Sequence, residues 1–166
     1  MNKTRDFPKA FLFDLEGVLI DSEPLHGQAW KETAAKFDLN LTYNQIKLLR
    51  GRRRIDCANE IVKLIPKTIK SEDVLRIHKP ISKRFMLAAQ AMPGSESLVK
   101  TCHQNDIPMA LVTSSSSESL KIKTAHHKWV DLISIEVLGD DKLLAKGKPA
   151  PDPYLLAAEK LNISTQ

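Results

Sequence analysis

Three stretches of this chain hold residues fit for chemistry. In the first, an apolar run from Ala10 to Phe13 stops at Asp14, Glu16 follows two residues on, and then comes Gly17. Such a run is the kind that makes a buried strand, and the glycine permits a bend that other residues resist. Open α/β sheets build active sites in this way, in the crevice beyond the carboxyl ends of their strands. An ordinary acidic turn after a strand is the plain alternative. In the second stretch, apolar residues from Ile107 to Val112 end at Thr113-Ser114, and serines continue to Ser117 ahead of a helix start. Hydroxyl and amide donors stabilise an anion without adding a titrating group, and a helix N-terminus favours one. A serine-rich helix cap would look the same. The third stretch, Gly147-Lys148-Pro149-Ala150-Pro151-Asp152-Pro153-Tyr154, presents a lysine in a loop that prolines stiffen.

The elements that must position these residues follow from hydrophobic period. Ser22-Glu23-Pro24 reads as a helix start, with Ser22 as N-cap, and Leu25, Ala29, Trp30, Thr33, Ala34 and Phe37 recur at helical spacing. Thr42 can cap a second helix, Tyr43 to Leu49. Ile55 to Ile65 mark a third, and Val74 to about Ala91 a fourth, with Pro80 as a kink or break inside it. After Met92-Pro93-Gly94 the pattern reads helix (95–105), strand (107–112), helix (117–127), strand (132–137), a charged loop and a last helix (151–161). Strands alternating with helices imply a parallel sheet with right-handed crossovers. The expected fold class is therefore α/β, a Rossmann-like core of three strands carrying an inserted α-helical domain. The boundaries expected are 1–23 plus 92–166 for the core and 24–91 for the insertion.

At 166 residues the chain can hold one core domain plus a small insertion, and 42% hydrophobic with 27% charged residues is a globular composition. A formal net charge of +5 suits anionic ligands. The basic residues are scattered apart from Arg50 to Arg54, and aromatics make up only 5%, which argues against nucleic acid as a partner. Cys57 and Cys102 stand far apart without metal-ligand spacing and read as reduced, buried thiols. No apolar run has the length of a membrane span and no signal-peptide pattern opens the chain, so the expected location is the cytoplasm with no membrane partner.

Asp14-Leu15-Glu16-Gly17-Val18-Leu19-Ile20-Asp21-Ser22 resembles motif I of the haloacid dehalogenase superfamily, D-x-D-G-x-x-x-D-[ST], with Glu16 where the family's phosphatases and phosphomutases carry Asp. Ala110 to Ser114 matches motif II, and Gly147 to Tyr154 matches motif III, closest to the β-phosphoglucomutase-like branch. The resemblance implies a Mg²⁺-dependent phosphatase or phosphomutase of small phosphorylated metabolites, sugar phosphates above all. It implies that Asp14 is nucleophile and metal ligand, with the backbone carbonyl of Glu16 as a second ligand, and that Glu16 stands in the acid–base position. One extra methylene should impair or redirect that work, or leave Glu16 as a solvated turn residue. Thr113 and Ser114 would bind phosphate, and Lys148 would neutralise Asp14 and the phosphoryl group. In the helical insertion, a cap in this family, Arg50, Gly51 and Arg54 align with a substrate-specificity loop; a solvated basic turn is the alternative. His26 reads as a surface residue, Trp30 as cap core, and His126 and His127 as helix-end residues.

The family's fourth motif, an acidic pair one strand further on that completes the metal site, does not occur before Gln166. Its absence, together with Glu16, supports the rival expectation of a non-catalytic relative that binds phosphate or a protein partner. It also leaves the motif I strand on a sheet edge, where self-association or complementation by another segment is invited.

Overall fold

The computed structural model describes residues 8–50, 52 and 54–164. Its elements in chain order are β1 (Phe11–Phe13), β2 (Ile20–Asp21), α1 (Glu23–Ala35), α2 (Tyr43–Leu49), α3 (Arg54–Leu64), α4 (Ser71–Leu87), β3 (Gln90–Ala91) and α5 (Ser95–Gln104). They continue with β4 (Met109–Val112), α6 (Ser117–Lys123), a 3-10 turn (Lys128–Leu132), β5 (Ile135–Val137) and α7 (Asp152–Lys160). The chain divides into two compact units. Residues up to Asp21 join those from Gln90 onward, and Ser22–Ala89 form the other.

In the first unit β1, β4 and β5 form a parallel sheet in the order β1-β4-β5. Phe11 pairs with Met109 and Phe13 with Leu111, while Val112 pairs with Val137. Every residue of β4 is buried, which is what its unbroken apolar run predicts for a strand covered on both faces. Ala110, Val112, Val137 and Ala157 form a core on the α7 side. Among the described residues β1 has one neighbour in the sheet, so it lies at an edge, with Leu12 exposed. All three strands end at the same side because they run parallel, and that common end is where Asp14, Thr113 and the loop after Val137 emerge.

β2 and β3 are an addition to the sequence reading. They pair antiparallel, Ile20 with Ala91 and Asp21 with Gln90. The Met92 amide donates to the Leu19 carbonyl at 2.9 Å, and the Ser95 hydroxyl to the same carbonyl at 3.0 Å. The two points where the chain leaves and rejoins the first unit are thus tied to each other. The fourth helix therefore stops at Leu87 rather than running to Ala91, and it passes through Pro80 without ending. Two further boundaries move. α6 ends at Lys123, four residues before the expected end, and the 3-10 turn that buries Trp129 and Val130 takes the first residue expected of the third strand.

The helical unit packs around Trp30, Ala34, Leu49, Cys57, Ala58, Ile61 and Val74. Thr42 caps α2 through a reciprocal capping box with Gln45. Ser22 does not cap α1: its backbone is already helical, and its hydroxyl is buried without a hydrogen-bond partner among the described residues. Cys57 and Cys102 are buried free thiols. Among the described residues no helix is long and apolar enough to cross a membrane.

At the centre of this unit His78 is 2% exposed, stacked on Trp30 with centroids 3.5 Å apart, and its Nδ1 lies 2.9 Å from the Thr33 hydroxyl. That hydroxyl also reaches the Ala29 carbonyl at 2.7 Å, so an Nδ1–H donor satisfies both contacts. Burial, reinforced by the positive charges of Arg54 and His26, pushes the imidazole down from 6.5 to about 4. The unfolded chain therefore takes up this proton at higher pH than the folded one, and stability rises with pH across the window from about 4 to 6.5. The full effect is on the order of 3 kcal/mol. The melting temperature should fall between about pH 7 and pH 4, and His78→Asn should lose less over the same interval. Equal losses in the two proteins would show that His78 does not set this dependence.

Candidate active site

Asp14 and Glu16 leave β1 on a tight turn. The Gly17 amide donates to the Ile20 carbonyl at 2.9 Å, and the Leu19 and Ile20 amides both return to the Leu15 carbonyl. Gly17 takes a φ of 73°, the left-handed region where a side chain would be strained. Leu15 is fully buried and anchors the turn, so the carboxylates on either side of it are held in place by the core.

Asp14 is held at both oxygens. The Leu15 amide donates to Oδ1 at 2.7 Å, and the Lys148 ammonium lies 3.0 Å from Oδ2. The same ammonium donates to the Val112 carbonyl at 2.8 Å and sits 5.1 Å from the Tyr154 ring centroid. Lys148 therefore bridges the tips of β1 and β4, with α7 beneath it.

Thr113 continues from β4, buried, with its amide donating to Val137 at 3.0 Å. Its hydroxyl donates to Glu16 Oε2 at 2.9 Å and accepts from the Ser115 amide at 3.0 Å. The Ser115 hydroxyl donates to Glu16 Oε1 at 2.6 Å. Lys123, on the last turn of α6 and 4% exposed, forms an ion pair with the same oxygen and donates to the Ser115 hydroxyl at 3.0 Å. Burial alone would raise the Glu16 pKa, but the Lys123 charge and the hydrogen bonds from Lys123, Ser115 and Thr113 outweigh it and hold the carboxyl at about 2. Glu16 is thus neither a solvated turn residue nor, in this arrangement, an acid with a proton to give at neutral pH.

The structure therefore joins Asp14 to Lys148, and Glu16 to Thr113. Ser114 is exposed, and the serine that faces Glu16 is Ser115. Arg50 and Arg54 belong to the helical unit. Arg50 lies 3.6 Å from Glu23, both about half exposed, and Arg54 opens α3 on an exposed position. Gly51 lies outside the described residues. Lys123 and Ser115 are the residues that sequence reasoning missed. The available signal was position: Lys123 follows Leu120 by three residues and so shares its buried face.

Among the described residues no three His, Cys, Asp or Glu side chains gather into a metal-holding group. The part-exposed Asp14 carboxylate is nonetheless a hard oxygen donor. Mg²⁺ is commonly bound by one or two carboxylates, with waters and substrate phosphate oxygens completing its shell. Asp14 fits that use, while the Glu16 carboxylate is taken by Lys123.

A family model described as haloacid dehalogenase-like hydrolase matches residues 8–166. The chain is similar to (DL)-glycerol-3-phosphatase 2 of Arabidopsis thaliana, 28% identical over 152 residues that cover 90% of this chain and 63% of that protein. It is also similar to Hexitol phosphatase A of Escherichia coli K12, 30% identical over 158 residues, covering 95% of this chain and 71% of that one. The fold matches the crystal structure of a Thermotoga maritima protein described as a "putative beta-phosphoglucomutase". The TM-score is 0.84 at 24% identity, over 93% of this chain and 71% of that one. The chain thus spans about two thirds of the length of these curated relatives.

The loop after β5 presses on the loop after β4. The Gly139 amide donates to the Ser115 carbonyl at 2.9 Å, and a Cβ on Gly139 would lie 2.2 Å from the Ser114 carbonyl oxygen. Both contacts are to backbone, so neither can yield by a rotamer change. Gly139→Ala should displace residues 113–116 and cost on the order of 1–3 kcal/mol of stability, read by chemical denaturation. A variant as stable as the parent would mean that this close approach does not hold the loop.

Proposed function

The chain belongs to the haloacid dehalogenase-like hydrolases, and from that membership we propose that it falls in the β-phosphoglucomutase-like branch and transfers the phosphoryl group of a small phosphorylated metabolite, a sugar or polyol phosphate, through Asp14. The observation that carries the reading is Lys148, whose ammonium touches both the Asp14 carboxylate and the carbonyl that precedes Thr113. A dianionic phosphate meeting a bare carboxylate would be repelled; the ammonium offsets that charge where the two must approach.

In the proposed step an Asp14 oxygen forms a bond to phosphorus as the ester oxygen leaves with its electron pair. The product is an aspartyl-phosphate, and water or an acceptor hydroxyl then takes the phosphoryl group and restores the carboxylate. Lys148 orients Asp14 and carries charge for the transferring group. The Leu15 amide fixes one carboxylate oxygen so that the other is presented. Mg²⁺, held by Asp14 and the Glu16 backbone carbonyl, would supply further charge neutralisation. The leaving oxygen needs a proton, and Glu16 has none to give while Lys123, Ser115 and Thr113 hold it. Turnover by this route therefore requires Glu16 to leave that cluster. The helical unit would act as a cap, with Arg50, Gly51 and Arg54 as its candidates for the non-reacting end of the substrate.

The sequestered Glu16 is also the observation that favours a second reading, a relative that binds phosphate without turning it over. The two separate on a generic aryl phosphate with Mg²⁺. Hydrolysis that falls about a thousandfold or more in Asp14→Asn is the outcome expected of the enzyme. No hydrolysis by the folded parent protein, or hydrolysis unchanged in Asp14→Asn, would discard it.

A further inference from the structure

Three donors converge on the Glu16 carboxylate: the Thr113 hydroxyl at 2.9 Å, the Ser115 hydroxyl at 2.6 Å and the Lys123 ammonium. Each is held by something other than Glu16. Thr113 is fixed by its amide bond to Val137 and by burial. Ser115 is fixed by its amide on the Thr113 hydroxyl and its carbonyl under Gly139. Lys123 is fixed by α6, its side chain 3% exposed. If Glu16 swung away, two hydroxyls and a buried ammonium would remain in place, aimed at one point. A buried ammonium left without an anion is strongly unfavourable, so this point calls for one at all times. Hydroxyl and ammonium donors are what tetrahedral phosphate oxygens take. The Glu16 side chain is itself 31% exposed, so the position it fills can be approached from solvent.

We propose that Thr113, Ser115 and Lys123 form an oxyanion seat for the substrate's phosphoryl group, and that the carboxylate of Glu16 is its resident occupant, which phosphate must displace. The proposal rests on reading the strand tips as a phosphoryl site, and adds Ser115 and Lys123 to the phosphate-binding residues. It makes Glu16 an internal competitor. Phosphate binding to the parent protein is weakened because a bonded carboxylate has to leave first.

The test is binding of inorganic phosphate, by calorimetry and by thermal shift, to the full chain and its variants. Glu16→Ala should bind phosphate at least tenfold more tightly than the parent, and phosphate should raise its melting temperature more. Glu16→Gln removes the charge and leaves one oxygen to accept from the three donors, so it should gain less but in the same direction; it reads the outcome if Glu16→Ala does not fold. Adding Lys123→Met to either variant should abolish the gain. Adding Lys148→Met should leave a gain relative to Lys148→Met alone. Affinity unchanged or weaker on loss of the Glu16 charge would overturn the seat. So would a gain that survives Lys123→Met and vanishes with Lys148→Met, which would put phosphate on Asp14 and Lys148 alone. The two readings fail separately. A gain without aryl-phosphate turnover by the parent keeps the seat and discards the enzyme, and turnover without a gain does the reverse.

Discussion

A buried ammonium must have an anion beside it, and the site is arranged around that requirement. Lys123 reaches inward from α6, itself part of the first unit, and finds Glu16 just beyond the tip of β1. Breaking such a pair by removing one partner typically costs about 3–5 kcal/mol, mostly the penalty of the charge left behind, so the figure measures commitment rather than net stabilisation. Lys148 makes the corresponding link on the other side, from the loop before α7 to Asp14 and to the Val112 carbonyl. Two cations from separate segments thus tie both carboxylates of β1 to residues at or just beyond the end of β4. The parallel register sets the strand ends level, and the ion pairs and hydroxyls join them.

The same arrangement gives the two carboxylates opposite characters. Asp14 is part-exposed and held by a single ammonium and one amide, open to a ligand from the solvent side. Glu16 accepts from three side chains and stays ionised down to about pH 2. An aspartate at position 16 would be shorter by one carbon–carbon bond, about 1.5 Å, too much to lose while keeping hydrogen-bond distance to α6. The glutamate and the buried lysine therefore belong together: the longer acid can reach the ammonium, and the ammonium fixes what the longer acid does.

Much of the scaffold was legible in the sequence, because long segments carry a strong period. β1 and β4 announce themselves as apolar runs, and the helices of both units follow from residues three and four apart. β2 and β3 were not legible, since two residues carry no period; they exist because the chain's exit and re-entry points pair with each other. Ser22 has the type and place of an N-cap, yet the backbone is already helical there and its hydroxyl turns inward. Within the site, Asp14, Thr113 and Lys148 stand out by motif. Ser115 in place of Ser114 is decided by the loop's path under Gly139, a tertiary contact that no spacing rule encodes. Lys123 was the harder miss, because a lysine on a short helix is ordinarily solvated, and only a carboxylate 107 residues away in sequence explains its burial.

The chemistry assigned to Asp14 is tested most directly by a crystal structure of the protein with beryllofluoride, which mimics a phosphoryl group on a carboxylate. The expected result is beryllium bonded to an Asp14 oxygen, a fluorine within hydrogen-bond reach of the Lys148 ammonium and the Thr113 hydroxyl, and Glu16 moved off Thr113. An Asp14 that stays bare while the ligand binds elsewhere would contradict the assignment.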